Sequence, residues 1–214
     1  MNDTRTERLM EPQLAAVAKL ACGIGRPGSL ALLCGPRGVG KTTVLGHLAT
    51  AVATARSVDL FPAARWLDLP TLPDVVLADD AHDLDEAAIA RLVRRCHDRP
   101  QPARLVLAGE GRLLTLVARD SRVEQGVRMR VSLPACTAAE SRRLLETAVA
   151  TAAGRPVAVA ETAARTAHEL AGGMPAAVLR LAELAGVLAA SRPDAALSAD
   201  DLEAVHGRLS LAAA

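Results

Sequence analysis

The chain is 214 residues long, half of them hydrophobic, with a formal net charge of +1. That length suffices for one α/β core plus a small appended domain, and so small a net charge sets up no global field toward nucleic acid or an anionic membrane. Phe61 and Trp66 are the only aromatic residues, which argues against a single-strand binder that stacks bases on exposed rings.

Lys19 and Lys41 are the only lysines, and the remaining basic side chains are arginines in an alanine-rich chain. That usage reads as compositional bias, so arginine content by itself does not point to nucleic acid. Cys22, Cys34, Cys96 and Cys136 form no CxxC and no paired spacing, so reduced thiols are expected in place of a metal site or a disulfide framework. Met1 to Arg8 is polar and charged, unlike a signal peptide, and no apolar run reaches spanning length. A soluble, cytoplasmic protein without a transmembrane segment is expected.

In chain order, Gln13 to Cys22 carries Leu14, Val17 and Leu20 among alanines and predicts a short helix. Ser29 to Cys34 is a continuous apolar run, as expected of a buried parallel strand, and Thr42 to Ala55 repeats Leu45, Leu48 and Val52 at helical spacing. Between Arg56 and Asp74 the prolines Pro62, Pro70 and Pro73 leave room for a short strand around Ala64 to Leu69. Val75 to Ala78 reads as a second buried strand ending at Asp79-Asp80. Asp83 with Glu86 fits a helix-start signature. The helix after it places Ile89, Leu92, Val93 and Cys96 on one face and Arg91, Arg94 and Arg95 on the other. Arg104 to Ala108 is a third strand, closed by Gly109 and Gly111.

Beyond about Pro134 only helices are expected. Thr137 with Glu140 is a capping box, Gly154-Arg155-Pro156 a stop, and helices follow over Ala158 to Leu170 and Pro175 to Ser191. Ser198 with Asp201 starts a last short one. The alternation of strands and helices predicts an α/β P-loop NTPase fold with a parallel sheet over residues 1–134, and a small helical subdomain over 135–214.

The chemistry is concentrated in Gly35-Pro36-Arg37-Gly38-Val39-Gly40-Lys41-Thr42-Thr43, whose first eight residues fit GxxxxGK[ST] at every fixed position. Glycines let backbone N–H groups turn inward around phosphates, and the helix that follows adds its positive N-terminal end. Lys41 supplies a point charge to the β- and γ-phosphates and the Thr42 hydroxyl a ligand to Mg²⁺. A buried strand before and a helix after give the motif the context it requires. Asp79, at the end of an apolar strand, is the second expected magnesium ligand. Asp80 follows where a residue that orients the attacking water is expected.

With these motifs in place the chain resembles an AAA+ ATPase of the general secretion pathway protein A group, which is related to transposition ATP-binding proteins. The resemblance rests on the phosphate loop at 35–43 and the Asp79-Asp80-Ala81-His82 box. It extends through Leu107 to Leu113, Val131-Ser132-Leu133-Pro134 ahead of Thr137 to Glu140, and Leu170-Ala171-Gly172-Gly173-Met174-Pro175 before a long helix. It implies a five-stranded parallel sheet in a three-layer core, a C-terminal helical lid over the nucleotide, ATP and Mg²⁺ as ligands, and a homo-oligomer or protein partner.

Several positions depart from that group. Asp80 stands in place of the usual Glu, Glu110 in place of Gln, and Gly126 and Ala176 where arginines that read the γ-phosphate often occur; Arg128, Arg130 and Arg180 lie near these positions. The segment before Asp79 is shorter than usual, as if a helix were missing. Replication-initiator-like regulatory ATPases are a cousin resemblance, which the Gly-Gly-Met-Pro stretch disfavours. Three functions fit: an ATPase with Lys41 and Asp80 as its catalytic residues, an ATP-gated interaction module with little turnover, and a DNA-associated ATPase using Arg91, Arg94 and Arg95. The chain contains no Asn-Lys-x-Asp guanine motif, which favours adenine.

Overall fold

A computed structural model describes residues 9–53, 56–192 and 195–212, with side chains up to residue 208. Contacts divide the chain into two units, one ending at Pro134 and one beginning at Ala135.

The first unit is built on a five-stranded, all-parallel sheet of order β2-β3-β4-β1-β5. The strands are β1 (Leu30–Cys34), β2 (Val58–Pro62), β3 (Val75–Asp79), β4 (Arg104–Gly109) and β5 (Val127–Ser132). β1 and β3 are buried along their whole length and β4 at all but its first residue. Helices on both faces explain why these strands read as unbroken apolar runs. On one face, Ala31, Leu33, Leu77 and Val106 pack against α1 (Glu11–Gly23) and α2 (Lys41–Ala53). On the other, Leu32, Val76, Leu105 and Leu107 pack against α3 (Glu86–His97), α4 (Gly111–Arg119) and α5 (Ser121–Gly126). The result is the three-layer α/β architecture of P-loop NTPases.

Some local expectations are corrected. The strand expected at Ala64–Leu69 lies earlier, at Val58–Pro62, and Ala63–Leu67 forms a 3-10 helix instead. Trp66 is fully buried there and donates from Nε1 to the Leu77 carbonyl at 3.0 Å. Among the described residues, no α-helix separates β2 from β3, in agreement with the shortened segment. Asp83 does not start α3; it ends a 3-10 turn at Ala81–Asp83, and Asp85 is the N-cap, accepting from Ala88 N at 2.7 Å. Asp85→Ala is expected to lower stability by about 1 kcal/mol, seen as a lower urea midpoint at unchanged slope. α2 is described to Ala53, so the Thr54-Ala55 end expected for it lies outside the described residues.

The second unit holds α6 (Ala138–Ala153), α7 (Glu161–Ala171), α8 (Pro175–Ala190) and α9 (Ala199–Ala212) around Leu145, Val149, Val178, Leu181 and Leu202. The Thr137–Glu140 capping box forms as expected, and Ser198 with Asp201 caps α9 through reciprocal bonds of 2.9–3.2 Å. α7 starts at Glu161 rather than Ala158, because Val159 is drawn into a bridge with Leu197.

No helix among the described residues is long and apolar enough to cross a membrane. None of the four cysteines forms a disulfide. Burial pushes the Cys96 thiol up to about 12 and the Cys136 thiol to about 11, which keeps both protonated and unreactive.

Candidate functional site

Parallel strands present their C-terminal ends along one edge of the sheet, where ligands of open α/β folds bind. At that edge the loop 35–40 leaves β1, Asp79 ends β3, and Gly109 ends β4 beside β1.

Two glycines make the loop possible. Gly40 has φ +97°, a conformation L side chains rarely adopt. A Cβ on Gly35 would stand 2.8 Å from the Leu133 carbonyl oxygen. Val39 is buried and pins the loop to the core of the α1–α2 face, and Gln13, itself buried, donates from Nε2 to the Val39 carbonyl at 3.2 Å. Pro36, Arg37 and Thr42 are exposed, while Gly38, Gly40 and Thr43 are half-buried. No local pattern in the sequence announces the contact of Gln13, whose partner lies 26 residues away.

Among the described residues, the backbone N–H groups of Gly38, Gly40, Lys41 and Thr42 have no protein acceptor. Lys41 is buried and Gly38 and Gly40 are half-buried, and amides left in this way call for an external acceptor. The Lys41 side chain is 7% exposed. Its Nζ donates to the Gly35 carbonyl at 2.9 Å and the Pro36 carbonyl at 3.0 Å, and no carboxylate among the described residues pairs with it. A buried ammonium beside unbonded amides at a helix start fits a phosphate chain. Burial raises the pKa of the Cys34 thiol, opposed by the charges of Lys41 and Arg130, so it is a neutral wall behind the loop.

The structure brings Thr42 and Asp79 together. Thr42 Oγ1 donates to Asp79 Oδ2 at 2.5 Å, and Asp79 Oδ1 accepts from Asp80 N at 2.9 Å. Asp79 is 7% exposed. One hydroxyl and one carboxylate suit a cation that takes its remaining ligands from phosphate and water; among the described residues no group of three or more His, Cys, Asp and Glu could hold a metal alone.

Asp80 is exposed, and among the described residues it alone has positive φ without being glycine (φ +50°). Such strain persists where the surroundings over-determine it, commonly at functional sites. Behind it, the Nε2 of His82 lies 3.5 Å from Glu110 Oε1 and 3.7 Å from Asp83 Oδ1, and Arg112 Nη1 donates to the His82 carbonyl at 2.9 Å. The structure thus ties the end of β3 to the end of β4 through His82, Glu110 and Arg112, a connection the sequence reading did not make.

The arginines separate. Arg130 pairs with Glu124, Arg128 and Arg180 are exposed, and Gly126 ends α5. The expected basic face of α3 is divided: Arg91 and Arg94 are exposed, whereas Arg95 turns back to donate to the carbonyls of Trp66, Leu67 and Leu69.

The sequence profile of a family described as AAA domain matches residues 1–133. None of the curated proteins matches the chain. Among solved structures, the RuvB Holliday junction branch migration motor of Thermotoga maritima is similar with a TM-score of 0.66 at 21% identity, over 94% of this chain and 70% of that one. NtrX from Brucella abortus in complex with ADP is similar with a TM-score of 0.71 at 17% identity, over 94% of this chain and 56% of that one. Its complex with ATP gives 0.70 at 16% identity, over 92% and 54%.

Proposed function

Since the chain belongs to the AAA domain family, we propose that it is an ATPase of the general secretion pathway protein A group, binding Mg-ATP at 35–43. Residues 1–134 act as the ATPase core and 135–214 as its helical lid. The observation that carries the reading is Lys41, a buried ammonium without a counter-charge among the described residues, at the centre of amides without acceptors.

In this reading Gly35, Pro36, Arg37, Gly38, Val39 and Gly40 wrap the phosphates with their backbone, and Thr43 continues the cradle into α2. Lys41 attracts the β- and γ-phosphates. Thr42 and Asp79 hold magnesium, which supplies positive charge to the phosphate oxygens. Asp80 orients the water that attacks in line, and its exposed place at the strand end leaves it open to solvent. Adenine is favoured over guanine. The NtrX structures hold ADP and ATP, and nucleotide binding on a similar fold supports the reading. The chain works as a homo-oligomer or with a protein partner that completes the site.

A second reading is an ATP-gated switch with little turnover. It is favoured by Asp80, one methylene shorter than Glu, and by Arg130, already engaged by Glu124. ATP would then shift the population of one state that a partner reads.

Steady-state hydrolysis across a series of protein concentrations separates the two. Activity per chain that climbs with concentration indicates an ATPase completed by a neighbour, and tight binding without turnover indicates the switch. Asp80→Glu is expected to raise turnover by about tenfold, a partial recovery beside the ~10²–10⁴-fold that a well-placed general base contributes. An unchanged or lower rate removes Asp80 from the role assigned to it.

A further inference from the structure

The C-terminal half of α3 and residues 70–72 line an open cavity of about 650 Å³, which the ATPase reading does not use. Four arginines line it (Arg91, Arg94, Arg95 and Arg99), with Leu72 on the apolar side and Asp98 as its one acid. No ion pair among the described residues neutralises any of the four.

Backbone carbonyls hold two of them in place without reducing their charge. Arg95 Nη1 donates to the Trp66 carbonyl at 2.6 Å and the Leu67 carbonyl at 2.9 Å, and its Nη2 to the Leu69 carbonyl. Arg99 Nη1 donates to the Pro73 carbonyl at 3.0 Å. Each guanidinium carries five N–H donors, and these four bonds are all that the described residues take from the cluster. A concavity with so large an excess of donors and positive charge suits a ligand rich in anionic oxygens.

We propose that this cavity binds a compact polyanion built on a chain of phosphates, free or carried on a nucleotide. It shares no residue with the phosphate loop. Its volume is that of a small-molecule site. A duplex is disfavoured because the arginines are grouped around one hollow between Arg91 and Arg99 instead of forming a stripe, in a chain of net charge +1.

The test is calorimetric titration with tripolyphosphate of the Lys41→Ala chain, in which the phosphate loop is weakened. A second titration uses the same chain carrying Arg91→Gln and Arg94→Gln in addition; both arginines are exposed, so these are surface changes that the fold tolerates. Saturable binding is expected in the first and at least a tenfold loss in the second. Equal affinity for ATP and tripolyphosphate identifies the free phosphate chain, and tighter ATP the nucleotide-borne one. No binding in the Lys41→Ala chain, or binding that the two glutamines leave unchanged, overturns the proposal. So does a short DNA duplex that binds more tightly than tripolyphosphate with the same arginine dependence.

Discussion

Lys41→Ala is expected to weaken ATP binding by about thirtyfold or more. Truncating one member of a buried, hydrogen-bonded charge pair costs about 2–5 kcal/mol, and each 1.4 kcal/mol is about tenfold in affinity. Lys41 qualifies because it is 7% exposed and its charge meets only the carbonyls of Gly35 and Pro36 among the described residues. The fold should survive the change. Removing an ammonium that pairs with no carboxylate strands no opposite charge in the interior. Titration with a fluorescent ATP analogue, beside an unfolding curve for the same variant, separates the two effects. Lys41→Arg should also bind poorly, since a planar fork does not replace a compact point charge in a closed loop. Unchanged affinity in Lys41→Ala would take the residue out of the site.

Trp66→Ala should destabilise the chain by about 3–5 kcal/mol, the usual cost of truncating a buried aromatic residue to Ala, against a total of about 5–15 kcal/mol for a typical domain. The indole is fully buried, and its ring lies 5.2 Å from that of Phe61, tilted by 57°. Its N–H satisfies the carbonyl of Leu77, two residues before Asp79. The loss therefore falls on β3, the strand that ends at Asp79. Trp66→Phe keeps most of the apolar volume and removes the N–H, so it should cost less, about 0.5–1.5 kcal/mol for the lost hydrogen bond. Equilibrium unfolding in urea measures both, and a Trp66→Phe variant as costly as Trp66→Ala would contradict the assignment of most of the loss to apolar burial.

How far the sequence could be read followed from how local the determining physics is. β1, β3 and β4 were legible because strands buried on both faces must be apolar at every position. β2 and β5 were not, because they are the edge strands. Val58–Pro62 has no fully buried residue, and Val127–Ser132 buries only Val131, with Arg128 and Arg130 exposed between half-buried neighbours. The bulge where Leu30 pairs with Val127 and Ala31 with Met129 adds a break in register that no hydrophobic pattern marks.

The phosphate loop and its pairing with Asp79 were legible because the chemistry prescribes residue types at fixed spacing. Asp83 misled because two acids lie close together and a 3-10 turn took the first, leaving Asp85 to cap α3. The hold of Gln13 on Val39, the clasp of Arg95 on the chain at 66–69, and the link from His82 to Glu110 all join residues far apart in sequence. Spacing rules carry no information about such contacts; they appear only when the sheet brings its strand ends together.

Binding of ATP at the phosphate loop is tested most directly by titrating the wild-type chain with ATP, with and without magnesium. The expected result is a saturable isotherm that is tighter with magnesium and weakened in Thr42→Ala, which lacks the hydroxyl bonded to Asp79. A flat isotherm in both conditions, from protein with an intact unfolding transition, would contradict it.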